Sequence, residues 1–282
     1  MAIVRERIEA DVDYVIGGYP STRVTVDVVQ VYDVATDRWT MAAPMPVGLN
    51  HPMPAALNGK IYVIGGQTDP NTAYVNLVQE YDPATNGWRA RAPMPTARSA
   101  GAAVVIDGKI YVAGGRPPRG ADFAVCDPAK DEWTTLPNLP TQRNHLMALG
   151  HEGKLYVVGG RFEGGFTSLG ADAVEIFDPK TGVWTKGAAM PKARGGLNGV
   201  VANGCMHFFG GEFATGVHPD HHVYHPRTDR WTSLPDMPMP VHGVTGLHFS
   251  GWVDLSAGRG DDAGGSSGGR THQVYRPDVS CP

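Results

Sequence analysis

Six arginines, one glutamate and a scatter of histidines stand at recurring positions of this chain. Arg116 and Arg161 each follow a Gly-Gly pair directly, and Arg259 follows a degraded one. Arg98, Arg143 and Arg194 each come shortly after a proline-containing linker. A guanidinium presents two parallel N–H donors to a planar oxyanion, so such a set points to a carboxylate, phosphate or sulfate ligand. Glu212 interrupts the series that follows the glycine pairs. A carboxylate among cations can serve as a general base, with His145 or His242 as its partner acid. Alternatively it pairs with Arg161 or Arg194 and holds the surrounding chain together. Tyr19 and His51 occupy the corresponding positions of the first two repeats and join the candidate ligand-binding set.

The densest group of potential metal ligands is His218, Asp220, His221, His222 and His225. In an extended strand His221 and His222 point to opposite faces, so they do not share one ion. A polar loop is the expectation there, with no metal site. Cys126, Cys205 and Cys281 are odd in number and widely spaced, and they imply neither a disulfide framework nor a zinc motif. Nothing resembles a nucleophile with its base, a phosphate loop or a dinucleotide fingerprint, so no cofactor is expected.

These residues are carried by a repeat. Five times an apolar strand runs into a glycine pair, at Gly17, Gly65, Gly114, Gly159 and Gly210, and later reaches a tryptophan, at Trp39, Trp88, Trp133, Trp184 and Trp231. A period of about 45 to 50 residues is that of propeller blades. A turn precedes each tryptophan by a constant step, from Asp33, Asp82, Asp127, Asp178 and His225, so length variation falls between the glycine pair and this turn. Asp107-Gly108, Asn58-Gly59, Glu152-Gly153 and Asn203-Gly204 each lie between two short apolar segments and read as two-residue hairpin turns. A sixth, degraded unit ends at Gly258, resumes at Val274 to Pro277 and stops where its tryptophan would fall.

The glycine pairs, the Tyr32-Asp33 and Tyr81-Asp82 turns, the spaced tryptophans and the Pro-Met-Pro linkers at 44–46 and 93–95 resemble the Kelch repeat, over essentially the whole chain. The resemblance implies an all-β, six-bladed β-propeller of four-stranded antiparallel blades with an incomplete sixth blade. The blade limits would be approximately 1–46, 47–95, 96–140, 141–191, 192–238 and 239–282. It also implies that residues after the glycine pairs and after the linkers meet at one mouth of the central channel. Arg98, Arg116, Arg143, Arg161, Arg194 and Arg259 would then gather there to hold an acidic small molecule or an acidic peptide. Arginine after the linker is common in Kelch repeats as such, where it can bond loop carbonyls instead.

Glu212 with a basic residue six positions on, here His218, is similar to the acid/base pair of bacterial sialate-mutarotase Kelch proteins, which have arginine in the second place. That likeness implies, as the alternative function, an isomerase, epimerase or cyclase acting on a sugar-acid-like substrate. Galactose oxidase shares the propeller, but its copper site needs paired tyrosines and a cysteine cross-link that Cys126 and Cys205 do not suggest.

The chain has 282 residues, 41% of them hydrophobic, with 37 glycines, which suits a single closed β domain. A formal charge of −4 argues against nucleic acid as a partner. No apolar run is long enough to cross a membrane as a helix, and the charged start at residues 1–10 is unlike a secretory leader. The expectation as written is a cytoplasmic protein, exported if an upstream segment is missing.

Overall fold

The computed structural model describes residues 2–7, 11–18, 24–68, 74–165, 167–243, 245–249, 252–256 and 273–281. These residues hold twenty-five strands and no helix, and so no helix long and apolar enough to cross a membrane. Blade one contains β1 (Ala2–Arg7), β2 (Asp11–Ile16), β3 (Val29–Asp33) and β4 (Arg38–Met41). Blade two contains β5 (Met53–Leu57), β6 (Lys60–Ile64), β7 (Val78–Asp82) and β8 (Gly87–Arg91). Blade three contains β9 (Ala102–Ile106), β10 (Lys109–Ala113), β11 (Phe123–Asp127) and β12 (Glu132–Thr135). Blade four contains β13 (Met147–His151), β14 (Lys154–Val158), β15 (Val174–Asp178) and β16 (Val183–Gly187). Blade five contains β17 (Asn198–Ala202), β18 (Cys205–Phe209), β21 (His221–His225) and β22 (Arg230–Leu234). Between its second and third strands lies a small hairpin of β19 (Glu212–Phe213) and β20 (Gly216–Val217). A terminal sheet holds β23 (Thr245–Phe249), β24 (Trp252–Ser256) and β25 (Gln273–Tyr275).

Each sheet is an antiparallel meander joined in sequence order. The first hairpin of blades two to five turns at the expected pair: Asn58, Asp107, Glu152 and Asn203 lie at φ of 49–52°, each followed by a glycine at 73–77°. This is the double left-handed geometry whose twist matches the strands. The apolar core lies between the blades. Tyr14, Ile16 and Met45 pack with Ile61, Val63 and Tyr81 between the first two. Corresponding clusters include Met94 between blades two and three, Leu139 between three and four, and Met190 between four and five. Met237 fills the same place between blade five and the terminal sheet. The middle residue of each linker therefore plugs the seam that the linker crosses.

The propeller has five four-stranded blades, not the six expected. Where the sixth was expected the described residues form a three-stranded terminal sheet. Tyr32, Tyr81 and Tyr224 each donate a hydroxyl hydrogen bond to Asp37, Asn86 or Asp229, five residues on, which fixes the turn into the outer strand. Tyr275 has Ser280 at that distance and bonds Asp278 instead, at 3.1 Å. The chain then leaves the sheet edge and runs beside the first hairpin of blade five. Asn203 bonds the Pro277 carbonyl, and the Cys281 N–H bonds the Asn203 carbonyl. Cys281 and Cys205 form a disulfide that the number and spacing of the cysteines in the sequence did not imply. Cys126 is free and buried, and burial pushes its thiol up to about 11. The ring closes through its inner strands, with β1 lying against both β5 and β23.

Candidate functional site

The glycine pairs build the channel mouth by joining each blade to the next. The N–H of the second glycine donates to the carbonyl of the residue that opens the following unit. The bonds are Gly18 to Leu49, Gly66 to Arg98, Gly115 to Arg143, Gly160 to Arg194 and Gly211 to Val241, at 2.7–3.1 Å. The first glycine allows the close approach. A Cβ on Gly65, itself at φ +57°, would lie 2.5 Å from the Arg98 carbonyl oxygen.

Two residues further along, a second set of backbone bonds forms a hoop. His51, Ala100, His145, Gly196 and Gly243 all have left-handed φ of 49–62°. From the second onwards each N–H donates to the carbonyl of its predecessor: Ala100 to His51, His145 to Ala100, Gly196 to His145 and Gly243 to Gly196, at 2.7–3.0 Å. Within blades two and four the residue before the hoop position exchanges backbone bonds with the one after the glycine pair, Asn50 with Gln67 and Asn144 with Arg161. Glu212 N–H likewise donates to Gly195 O in blade five.

The hoop brings together side chains that are far apart in sequence. Arg161 forms an ion pair with Glu212 Oε1, and His242 Nε2 lies 3.4 Å from Glu212 Oε2. Arg161 Nη2 lies 3.0 Å from His145 Nε2. The rings of His51 and His145 meet edge to face at 5.2 Å, although they come from blades two and four. The hoop residue between them, Ala100, is small. Gly195 leaves room for the Arg161 stem, because a Cβ there would stand 3.3 Å from it. Arg116 reaches across to the Gly164 carbonyl at 2.6 Å.

The protonation of His145 follows from its neighbours. The Asn144 amide nitrogen donates to the carbonyls of Arg161 and Glu163, so its Oδ1 accepts from His145 Nδ1–H. Nε2 faces a guanidinium that does not deprotonate, and it must therefore be the bare, accepting nitrogen. Asn50 turns its amide in the same way, towards Thr25 and Gln67, and holds His51 Nδ1 at 2.7 Å. Burial, followed by the positive charges of Arg116 and Arg161, holds both imidazoles well below the ordinary histidine pKa. The left-handed backbone costs a residue with a Cβ about 1 kcal/mol, and blades two and four spend it on imidazoles facing the mouth.

The other expected arginines lie inside the blades. Arg98, Arg143 and Arg194 are fully buried. Arg98 bonds the carbonyls of Gly114 and Asp122. Arg143 bonds the Gly159 and Val157 carbonyls and pairs with Glu175 at 2.5 Å. Arg194 bonds the Gly210 carbonyl and His222 Nδ1. They tie down the ends of the second strands, and burial lowers the pKa of all three. Tyr19 and Arg259 lie outside the described residues.

The histidine-rich stretch is divided among separate tasks. His218 and Lys192 contact Asp220. His221 lies 3.0 Å from His207, on the face opposite His222. His225 Nδ1 lies 3.0 Å from Cys281 Sγ. Among the described residues, Cys205, His225 and Cys281 are the one trio of possible metal ligands close together, and two of them are the disulfide. Asn50 and Asn144, which orient the imidazoles, stand among the residues after the linkers, but the sequence reading gave them no role. The repeated Asn-His dipeptides at 50–51 and 144–145 were the available signal.

A model of the KLHDC2/KLHL20/DRC7 Kelch-repeats domain matches residues 50–249, and the Kelch motif matches residues 14–46. The Kelch-like protein terF of Aspergillus terreus is 50% identical over 42 residues, a match covering 15% of this chain and 9% of that protein. The solved structure of YjhT superposes with a TM-score of 0.77 at 20% identity, covering 93% of this chain and 91% of that one. That likeness is one of fold.

Proposed function

The chain belongs to the Kelch-repeat family of β-propellers, and on that footing we propose that it binds a small hydroxylated carboxylate at the channel mouth. Arg116 and Arg161 supply the cationic contacts, His145 holds Arg161 in place through Nε2, and the neutral, oriented imidazole of His51 lies beside them to meet the ligand's hydroxyl groups. The observation that carries this reading is the charge around those imidazoles. After burial, the strongest influence is Arg116 on His51 and Arg161 on His145, and each guanidinium also acts on the other ring, so the mouth presents positive potential beside fixed hydrogen-bonding groups. The ligand set is smaller than the sequence suggested, because three arginines serve the scaffold.

Titration calorimetry with glucuronate, galacturonate, citrate and a short acidic peptide tests the reading. Arg161→Met and Arg116→Met should each weaken a sugar acid at least tenfold with the fold intact, whereas Arg194→Met should lower stability. Equal binding by wild type and both mouth variants, or binding of the peptide alone, overturns it.

A second reading rests on Glu212, whose two carboxylate oxygens face Arg161 and His242. A carboxylate so placed in an anion site is positioned for acid/base exchange on the bound substrate. Glu212→Gln should then retain sugar-acid binding but lose anomer or epimer interconversion followed by proton NMR. A wild-type protein that binds without accelerating any exchange leaves the binding function alone.

A further inference from the structure

The seams between blades share one construction. The indole N–H of Trp88, Trp133, Trp184 and Trp231 donates to the carbonyl of Ala43, Ala92, Pro137 and Ala188, at 2.8–3.0 Å. Each acceptor stands immediately before the linker that crosses the seam, and each tryptophan lies on the fourth strand of the following blade. By the same count the acceptor at the last seam is Pro235, but among the described residues the terminal sheet has three strands and no fourth.

A cleft of about 480 Å³ opens at that place, lined by Phe209, His221, Pro235, Met237, Gln273 and Tyr275 among others. On its rim Val274 of β25 is 53% exposed. Asp236 is the charged lining residue, and His221, packed on Phe209 and beside His207, is kept neutral by burial. A second observation comes from the next seam. Trp39 in blade one should bond the linker leaving the terminal sheet's fourth strand. It is instead 49% exposed, with no acceptor for its indole among the described residues. Among the described residues the cleft and Trp39 thus lack consecutive parts of one segment, an outer strand with its tryptophan and the linker beyond it.

We propose that this cleft is a docking site for an extended, basic segment of a partner protein that carries a tryptophan. The segment adds to the outer edge of β25, its indole fills the cleft and donates to the Pro235 carbonyl, and its basic residues meet Asp236. The chemistry is argued from the molecule's own seams, which show four times what fits such a slot. Blade four is the nearest template, because its acceptor Pro137 is also a proline and its strand Val183–Gly187 carries Trp184 beside Lys186. Edge-strand addition of this kind draws affinity from backbone bonds and specificity from the pocketed side chain.

The probe is a fluorescein-labelled peptide copying residues 180–191, followed by fluorescence anisotropy with the full chain. Saturable binding is expected, reduced at least tenfold when the peptide's tryptophan is replaced by alanine. Asp236→Arg, an exposed substitution, should weaken it several-fold, and circular dichroism confirms that the variant is folded. The proposal is overturned by no saturation up to millimolar peptide, or by equal binding of the alanine peptide. Concentration-dependent dimerisation abolished by Asp236→Arg would also overturn it, because the occupant would then be a second copy of this chain.

Discussion

His51 and His145 show how backbone, neighbour and charge combine to set one side chain's chemistry. The asparagine before each fixes the tautomer, and burial with Arg116 and Arg161 keeps the ring neutral. His218 is lowered too, His221 to about 3 and His222 to about 4, in each case chiefly by burial. These shifts have a sign for stability. Below the unfolded histidine pKa of about 6.5 the unfolded chain takes up protons that the folded protein refuses, until the lower folded values are reached. Stability is therefore present in full above that pH and falls as the pH drops through the window. The slope is about 1.4 kcal/mol per pH unit for each participating histidine. Urea unfolding at pH 7.5, 6 and 5 should show midpoints declining in that order. A midpoint unchanged from 7.5 to 5 would contradict the neutral-histidine assignment. The types of these residues were legible in the sequence, but their directions were not. Arg143 and Arg161 both sit near the mouth in repeat register, yet one turns into its blade towards Glu175 and the other towards Glu212.

At the scale of the element, the glycine pair is a joint between blades as well as a turn. Gly65→Ala places a Cβ against the Arg98 carbonyl on a left-handed backbone and should cost at least about 2 kcal/mol, read as a lowered urea midpoint. Gly59→Ala meets no atom within 4 Å, and its cost should be only that of the backbone conformation, about 1 kcal/mol. Turns, strands and seams were readable beforehand because their signals are local: Asn-Gly or Asp-Gly at hairpins, glycine pairs at joints, tryptophan at a constant step. The lost fourth strand also had a local signal. The residue five beyond Tyr275 is Ser280, which lacks the carboxylate or amide that secures the corresponding turn in blades one, two and five.

For the whole molecule, the disulfide spans 76 residues and encloses the terminal sheet in the loop it closes. A cross-link of that reach stabilises a chain by up to about 4 kcal/mol. Reduction with dithiothreitol should lower the thermal midpoint by roughly 5 °C or more. Thiol counting in denaturant should find one reactive cysteine, Cys126, before reduction and three after. Three thiols in the untreated protein would dismiss the bond. Counting three cysteines along the sequence did not reveal that the last returns beside the first hairpin of blade five, because that path depends on the turn the terminal sheet does not make. The hoop at the mouth has a different reach. Its four bonds use only main-chain atoms, so none of them depends on which side chain its positions display. Positions 51, 100, 145, 196 and 243 thus form a collar of replaceable letters, open to any side chain that accepts the left-handed backbone at a cost of about 1 kcal/mol each. Rewriting them together should retarget the propeller to a new guest while leaving its architecture untouched.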